Sequence, residues 1–266
     1  MTLTPNRLRI ITYNIHRCIG ADREISPERI ANVIAVHHPD IVALQEVDCG
    51  QMRPTLYDQA AIIAEHLKFP DVWIERERCG NAILSRYPMT RIKAGGLHRL
   101  RRWHHLTRRG ALWVEIEALG TRIQVINTHL GLTPSSRFNQ AKILAGPEWL
   151  NSPACLHPVI LCGDFNTQSG STVFTLLEEK LRNVEKLKVN GESEKTWPSF
   201  HPFLNFDHMF ISDDLSVEAI KVPTGSDTRT ASDHLPFFAE FSLPHITPAL
   251  AHVSTYKTAT SALPVI

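Results

Sequence analysis

Short apolar runs, each bounded by polar or turn-forming residues, recur along the chain and predict β-strands. The runs richest in Ile, Val and Leu predict buried strands and lie at residues 8–13, 41–44 and 159–162. Four others lie at residues 82–84, 209–211, 217–222 and 237–241. Two further runs, at residues 111–116 and 122–126, predict a hairpin that turns at Leu119-Gly120.

Apolar residues at helical spacing occupy several stretches between these strands. Ser26 and Pro27 predict a helix start, because serine caps the first turn and proline suits the first helical position. Further helices are predicted at residues 57–67, from about residue 136 to residue 146, and at residues 171–181. Strands that alternate with helices favour an α/β fold.

One strand–helix–strand pattern occurs twice along the chain. In the first half, Asn14 follows a strand and Glu46 follows the next one. In the second half, Asn127 follows a strand and Asp164 follows the next one. This repetition predicts two related halves, packed as a two-sheet α/β body with a pseudo-dyad.

Composition and charge narrow the class of protein without defining a substrate. The 266 residues carry 28 Lys and Arg against 27 Asp and Glu, and the formal charge of +1 excludes a strongly acidic or basic coat protein. We predict one domain over residues 1–243 and a Pro-, Thr- and Ser-rich C-terminal tail over residues 244–266. Five cysteines without a C-x-x-C pair, and no apolar run that suits a signal peptide or membrane span, predict a cytoplasmic, monomeric protein.

Polar clusters stand where the predicted strands end, at positions where a sheet can hold catalytic groups rigidly. Their acidic and amide members form an oxygen-rich set without thiolates: Asn14, Glu46, Asp164, Asn166, Asp207 and Asp233. Such donors suit a hard cation, Mg²⁺ or Mn²⁺. With His129 and His234 for proton transfer or hydrogen bonding, the set predicts metal-assisted hydrolysis of a phosphate ester. Acyl transfer is disfavoured because the chain has no G-x-S-x-G elbow.

Eight short segments between residue 8 and about residue 242 form a more specific pattern. They are TYNIH (12–16), ALQEVD (43–48), GNAILSRYP (80–88), RRGAL (108–112), INTHL (126–130), GDFNT (163–167), FDHMFIS (206–212) and SDHLPFFAEF (232–241). In this order they resemble the endonuclease/exonuclease/phosphatase superfamily, which includes pancreatic-type deoxyribonucleases, abasic-site endonucleases, neutral sphingomyelinases and inositol polyphosphate 5-phosphatases. The resemblance implies a four-layer α/β sandwich, in which two packed mixed β-sheets are flanked by helices.

The resemblance also implies roles for the residues of the oxygen-rich set. Glu46 is expected to be the principal Mg²⁺ ligand, with Asn14 beside the metal and phosphate. Asp233 is expected to bind the metal or to lie next to its ligands. The cation and a phosphodiester substrate are therefore the partners implied by the family.

The same resemblance assigns the catalytic groups. Asp164 is expected to position or deprotonate the attacking water, and Asn166 to hold a phosphate oxygen. His234, oriented by Asp207, is expected to contact the scissile phosphate or help activate the water. His129 is expected to face the phosphate and assist the leaving oxygen, as in the deoxyribonuclease and sphingomyelinase branches.

At two places the sequence departs from the pattern of a particular branch of the superfamily, and each departure disfavours that branch. His129 stands where abasic-site endonucleases usually carry a tyrosine, which disfavours that branch. The segment FNFDHMF lacks the Trp and Arg of the 5-phosphatase signature. The pattern is similar to bacterial members of undefined substrate.

The basic, aromatic segment at residues 97–110 favours a nucleic acid over a phospholipid head group or a small phosphoester, because arginines grip phosphates and aromatic rings stack on bases. Arg108 and Arg109 are the substrate-binding candidates within it, and Asn81 and His16 are two more. Strand alternation predicts that His16 shares the face of Asn14.

Three alternatives stay open at this level. His208 follows Asp207 and is expected to point to the opposite face, in a core or surface role. Apolar residues at 197–198 and 202–204 form either a lipid-docking edge or part of the core. A non-catalytic relative that binds phosphorylated ligands or a protein is the alternative to an enzyme, and the completeness of the acid and histidine set favours the enzyme.

Overall fold

The computed structural model describes residues 6–48, 58–75, 79–98, 109–187 and 194–243. The predicted C-terminal tail lies outside these residues, as do Arg108 and most of the basic segment. Within the described ranges, the strands are β1 (Arg7–Asn14), β2 (Ile41–Asp48), β3 (Asp71–Ile74), β4 (Cys79–Ser85), β5 (Met89–Gly96), β6 (Gly110–Ala118), β7 (Thr121–His129), β8 (Val159–Asp164), β9 (Arg182–Asn183), β10 (Asp207–Ile211), β11 (Ser216–Lys221) and β12 (Phe237–Ser242).

The helices lie between these strands. They are α1 (Pro27–Ala35), α2 (Gln59–Leu67), α3 (Pro134–Leu144), α4 (Thr172–Glu178) and α5 (Ser226–Ala231), with 3-10 turns at His16–Cys18 and Val184–Leu187. None of the helices in the described part of the chain has the length and apolar character needed to cross a bilayer.

The strands form two six-stranded mixed sheets of matching design. The first has the order β11-β12-β1-β2-β4-β3 and the second has the order β5-β6-β7-β8-β10-β9. In each sheet the central pair, β1–β2 or β7–β8, is parallel and the other pairs are antiparallel. Each parallel pair is connected through a helix, α1 or α3, which confirms the repeated strand–helix–strand unit.

Three apolar layers hold the four structural layers together. One layer lies between the sheets and brings Ile10 of the first sheet against Val114 and Ile160 of the second. A second layer packs α1 and α2 on the first sheet, and a third packs α3 and α4 on the second sheet. Removal of this apolar surface from water is the main force that stabilises the sandwich. The predicted fold, two packed mixed sheets flanked by helices, is confirmed.

Helix starts follow their capping residues. Ser26 Oγ accepts a hydrogen bond from Arg29 N at 3.1 Å, as the Ser-Pro pair predicts. Asp58 caps α2 and Thr133 caps α3, so these helices begin at Gln59 and Pro134 rather than at the predicted residues 57 and 136.

Four elements carry little sequence signal and are not predicted: the edge strands β3, β5 and β9 and the short helix α5. The edge strand β5 has mostly exposed or half-exposed side chains, and the short edge strand β3 is half-buried throughout. Edge strands bury little surface on either side, so they show no strong apolar pattern. The helix α5 has only six residues, which is too short for a clear helical period.

A buried amide pair connects the two sheets near the ends of β2 and β7. Gln45 Nε2 donates to Asn127 Oδ1 at 2.7 Å. Asn127 Nδ2 in turn donates to the carbonyl oxygens of Leu44 and Ala82, at 2.8 and 2.9 Å. Both amide side chains are fully buried and have no access to water, so the polar groups that form these hydrogen bonds are satisfied within the protein. Asn127 therefore ties β7 directly to β2 and β4.

Candidate active site

Ends of strands from both sheets meet at one rim of the sandwich. Asn14 ends β1, His129 ends β7 and Asp164 ends β8, while Asp207 begins the antiparallel strand β10 directly opposite Asp164. Asn14 Nδ2 donates to Asp164 Oδ2 at 2.9 Å, although 150 positions separate the two residues. The predicted convergence of these polar strand ends is thus seen in the structure.

Glu46 projects into the rim from an irregularity in β2. Its φ of 57° lies in the left-handed region, and the pairing of β2 with β4 shifts between Leu44 and Val47. A bulge of this kind re-aims a side chain, and a left-handed non-glycine residue is maintained only where its surroundings hold it. The Glu46 carboxylate remains partly exposed, with Oε1 at 4.0 Å from His129 Nδ1.

The buried carboxylate of Asp164 is the centre of the site. Its Oδ2 lies 2.9 Å from Asn14 Nδ2, 3.2 Å from His129 Nε2 and 3.7 Å from His234 Nε2. Its Oδ1 accepts from the backbone N–H of Asn166 at 2.8 Å. Burial by itself raises the pKa of Asp164, but the two imidazoles and these hydrogen bonds outweigh burial and hold the pKa well below its usual value. Asp164 is therefore ionised at neutral pH.

His234 forms a buried pair with Asp207. Its Nδ1 lies 2.8 Å from Asp207 Oδ2, and both side chains are shielded from solvent. Burial opposes the charged imidazolium, but the carboxylates of Asp207 and Asp164 outweigh burial and raise the pKa of His234 to about 10. Burial also raises the pKa of Asp207, against the effect of His234. Asp207 orients the His234 ring, whose Nε2 carries a proton on the side of Asp164.

Arg109 defines which nitrogen of His129 carries a proton. Arg109 Nη1 lies 2.6 Å from His129 Nδ1, and a guanidinium can only donate a hydrogen bond. Nδ1 is therefore the acceptor and Nε2 carries the proton, directed at Asp164. Asn166, whose φ of 52° is left-handed, lies beside the same ring, with Nδ2 at 3.1 Å from His129 Nε2 and donating to Leu130 O at 3.0 Å.

The remaining predicted residues have different placements. The Asn81 amide donates to Glu75 and to the Gly110 carbonyl at 3.0 Å, and Asn81 is not among the described residues that line the cleft. Strand alternation does not extend to His16, because β1 ends at Asn14 and the chain turns left-handed at His16, with φ of 44°. The His16 ring instead lies 3.7 Å from Asp233 Oδ1, at the exposed mouth of the site.

The rim opens into a cleft of about 790 Å³. Described residues that line it are Asn14, Glu46, Arg109, His129, Leu132, Arg137, Asp164, Asn166, Thr167, Gln168, Ser169, Gly170, Ser171, Trp197, Phe206, Asp233 and His234. The sequence patterns do not assign Arg137 or Phe206 to the site, and they predict Trp197 only as part of a lipid-docking edge or of the core. Arg137 and Trp197 lie outside the eight family segments, and Phe206 begins the FDHMFIS segment without a role assigned to it, so the position of each in space places it at the cleft.

The donor atoms of the rim fit a cation. Asp164, Asp207 and His234 offer ligand atoms that all lie within 4.8 Å of one another, so this group could hold a metal ion. The buried Oδ1 of Asp207 has no hydrogen-bond partner among the described residues, which is the condition of an oxygen that can accept a cation. The Glu46 carboxylate and the Asn14 amide are two further side chains at the cleft that carry oxygen ligands. Oxygen-rich donor sets are typical of hard cations.

A two-sheet α/β sandwich that gathers carboxylates, amides and proton-bearing histidines at one rim defines a hydrolase of phosphoric esters. The chain belongs to the endonuclease/exonuclease/phosphatase family, whose sequence model matches residues 11–234. The family resemblance seen in the eight sequence segments is confirmed, and the chain is a phosphoric ester hydrolase of this family.

Individual proteins resemble this chain in sequence or in fold. The uncharacterized protein YbhP of Escherichia coli K12 is 28% identical over 254 residues, a match that covers 88% of this chain and 96% of YbhP. The structure of an endonuclease/exonuclease/phosphatase from Beutenbergia cavernae has 24% identity and a TM-score of 0.66, over 90% of this chain and 72% of that one. The mannosyl-6-phosphatase Bt3783 of Bacteroides thetaiotaomicron has 20% identity and a TM-score of 0.70, over 89% of this chain and all of that one. These two structural likenesses establish the shared fold.

Proposed function

We propose that this hydrolase cleaves a phosphodiester, preferably in a nucleic acid, with the help of Mg²⁺ or Mn²⁺. The observation that supports the proposal best is the convergence on Asp164 Oδ2 of Asn14 Nδ2, His129 Nε2 and His234 Nε2. An ionised acid between three side-chain donors can orient a water molecule and accept its proton while those donors bind phosphate oxygens.

The metal would be held by oxygen atoms at the cleft. Glu46 supplies a partly exposed carboxylate, and Asn14 and Asp164 supply further oxygens, with Asp233 at the mouth. Asp164, Asp207 and His234 form an alternative group that could hold the cation. We assign His234 to the phosphate instead, because its Nδ1 is already paired with Asp207. A bound divalent cation neutralises phosphate charge and stabilises the leaving oxygen.

The protein groups then have complementary tasks. Asp164 positions a water for in-line attack and takes its proton. The Nε2–H of His234, backed by Asp207, donates to a phosphate oxygen, where negative charge grows in the transition state. The Nε2–H of His129, whose Nδ1 accepts from Arg109, can donate a hydrogen bond to the leaving oxygen and stabilise the charge that develops there.

Two features of the cleft favour a nucleic acid. Arg109 and Arg137 line it and can pair with backbone phosphates. Trp197 and Phe206 line it too, with ring centroids 5.5 Å apart and ring planes inclined by 29°, and so offer an aromatic surface on which a base can stack. Charged and aromatic contacts together suit a polynucleotide better than a small sugar phosphate.

The test is metal-dependent cleavage of plain duplex DNA, abasic duplex DNA and single-stranded RNA, with Mg²⁺, Mn²⁺ or EDTA. Glu46→Gln should reduce cleavage by more than 100-fold without unfolding the protein, since it removes a carboxylate charge from the metal site. Glu117→Gln is the matched control, because Glu117 is an exposed glutamate on β6, and it should keep full activity. Cleavage that persists in EDTA or in Glu46→Gln would refute the metal assignment.

A phospholipid head group is the second candidate substrate, and two exposed rings favour it. Phe200 is 71% exposed and Phe203 is 60% exposed, in the segment that joins Trp197 to Phe206. An apolar tip beside the cleft could insert into a bilayer surface. Hydrolysis of zwitterionic phospholipid vesicles by the wild type, and its loss in the double variant Phe200→Ser and Phe203→Ser, would support this substrate. If the wild type cleaves nucleic acid instead and the double variant keeps that activity, the two exposed rings are not needed for cleavage.

A further inference from the structure

His208 is fully buried and does not contact the cleft. It follows Asp207 on β10 but points to the opposite face of the sheet, toward the layer packed under α4, as strand alternation predicts. Its ring contacts Phe174 edge-to-face, with centroids 4.6 Å apart, and lies 5.9 Å from Phe165. A histidine in an otherwise apolar layer requires polar partners, because an unpaired buried imidazole is costly.

One ring nitrogen of His208 bonds the loop that follows Asp164. Nε2 lies 2.9 Å from the carbonyl oxygen of Thr167 and 3.2 Å from that of Asn205. Carbonyl oxygens only accept hydrogen bonds, so Nε2 carries a proton and donates it. The same nitrogen thus joins the Asp164–Thr167 segment to the Thr196–Phe206 segment, which carries Trp197 and Phe206.

The other ring nitrogen faces a buried carboxylate. Nδ1 lies 3.3 Å from Glu185 Oε2 and 3.3 Å from Asn205 Nδ2, a side-chain donor. Asn205 Nδ2 also donates to Glu185 Oε1 at 2.6 Å, so Glu185 and Asn205 together hold this side of the ring. The arrangement of carboxylate, imidazole and carbonyl fixes the orientation of the ring, as outer partners of catalytic groups commonly do. Glu185 lies in the 3-10 turn Val184–Leu187, so the anchor is part of the rigid body of the second sheet.

The bonded carbonyl belongs to the residue that follows Asn166. Asn166 has a left-handed φ of 52°, and its backbone N–H donates to Asp164 Oδ1 at 2.8 Å. A left-handed asparagine needs support, because alternative conformations lie close in energy. If Thr167 O lost its donor, the turn would relax, and Asp164 Oδ1 and the Asn166 side chain would both lose their places beside His129.

We propose that His208 is a positioning residue, which holds the Asp164–Thr167 turn in its working conformation through the Thr167 carbonyl, with Glu185 orienting the ring. The kinetic part of this proposal rests on the proposed function, while the structural part does not. A purely structural role, ring packing against Phe174, predicts a loss of stability alone. The positioning role predicts in addition a local change at residues 164–168.

The first experiment measures that local change by amide hydrogen exchange in EDTA. His208→Phe keeps an aromatic ring against Phe174 and removes the Nε2 donor. Peptides covering residues 164–168 should exchange at least 10-fold faster than in the wild type, and His208→Gln, which can still donate an N–H, should restore part of the protection. Leu144→Ala, a cavity variant in the same apolar layer, is the matched control and should leave this segment unchanged. Unchanged exchange at residues 164–168 in folded His208→Phe would overturn the proposal.

The second experiment is a double-mutant cycle on cleavage of whichever substrate the wild type accepts. His208→Phe should lower kcat roughly 10- to 100-fold, the usual range for loss of an outer partner, while KM changes less than about 3-fold. In the Asn166→Ala background the same change should cost at least about 3-fold less than in the wild type, because one of the two groups that the turn positions, the Asn166 side chain, is already lost. Fully additive losses would overturn the proposal.

One combination of results separates this proposal from the proposed function. If the wild type cleaves no phosphodiester but residues 164–168 exchange faster in His208→Phe, the proposed function is refuted and the positioning role is supported. Should His208→Phe fail to fold, Glu185→Gln replaces it, because it removes the orienting charge and keeps the shape. That variant should show the same local exchange change in weaker form, and normal exchange in it would count against the proposal.

Discussion

Asn127 offers a quantitative test of how the two sheets are joined. Asn127→Ala removes one acceptor and two donated hydrogen bonds, at 2.7, 2.8 and 2.9 Å. Gln45 Nε2 keeps a second acceptor in Thr12 Oγ1 at 2.9 Å, but the carbonyls of Leu44 and Ala82 each lose a buried donor. At about 1–3 kcal/mol for each buried group left unpaired, plus a small cavity, the expected loss is about 3–5 kcal/mol.

A loss of this size is a large share of the total stability of a domain, about 5–15 kcal/mol. Urea unfolding followed by fluorescence, in EDTA and at neutral pH, measures it directly. Asn151→Ala is the matched control, since Asn151 is exposed in the turn after α3, and it should shift the free energy of unfolding by less than about 0.5 kcal/mol.

A second substitution separates hydrogen bonding from volume. Asn127→Asp keeps the shape of the side chain but cannot donate to the two carbonyls when ionised, and it buries a charge. It should therefore destabilise the protein at least as much as Asn127→Ala, and more at pH 7 than at pH 4. A loss below about 1 kcal/mol for both variants would refute the view that this amide holds the sheets together.

Two further predictions concern the rim. Gly163→Ala should prevent stable folding, because Gly163 has a φ of 142° and an added Cβ would collide with Thr128 O. Gly120→Ala is the control and should cost only about 1 kcal/mol, because Gly120 has a φ of 80° with open space around it. Equal melting temperatures for the two variants would contradict this prediction. The His234–Asp207 pair should make stability pH-dependent in EDTA: because the pKa of His234 is raised to about 10, its contribution is complete below about pH 6.5 and declines as the pH rises toward 10. The unfolding free energy of the wild type should therefore fall over that window by more than that of the neutral double variant His234→Gln and Asp207→Asn, and parallel pH profiles would speak against the charged pair.

The outline of the fold follows from local patterns. Strands such as β2 and β8 are continuous apolar runs because both faces are covered, and α1 begins at Ser26 because its hydroxyl accepts the N–H of Arg29. Parallel neighbours place their carboxyl ends at a shared edge, so residues that follow β1 and β2, or β7 and β8, had to lie close together. This explains why the polar residues of the rim could be predicted from their positions at strand ends, together with the family motifs.

Other features depend on partners that are remote in sequence. Asn127 and His129 stand two positions apart in INTHL, yet one ties the sheets together and the other faces Asp164. The left-handed backbone of Glu46, the pairing of Arg109 with His129 and the entry of Trp197 and Phe206 into the cleft leave no periodic signal.

Local patterns and family motifs along the chain were therefore sufficient to predict the fold class, the family and the set of acids and histidines. Only the packed structure shows which of these groups are hydrogen-bonded to one another, and that His208 is hydrogen-bonded to the turn that follows Asp164. The physical reason is that burial and apolar periodicity are local properties of a chain. Hydrogen bonds such as those of Asn14 to Asp164, or of His208 to Thr167, exist only when segments as many as 150 positions apart are packed together.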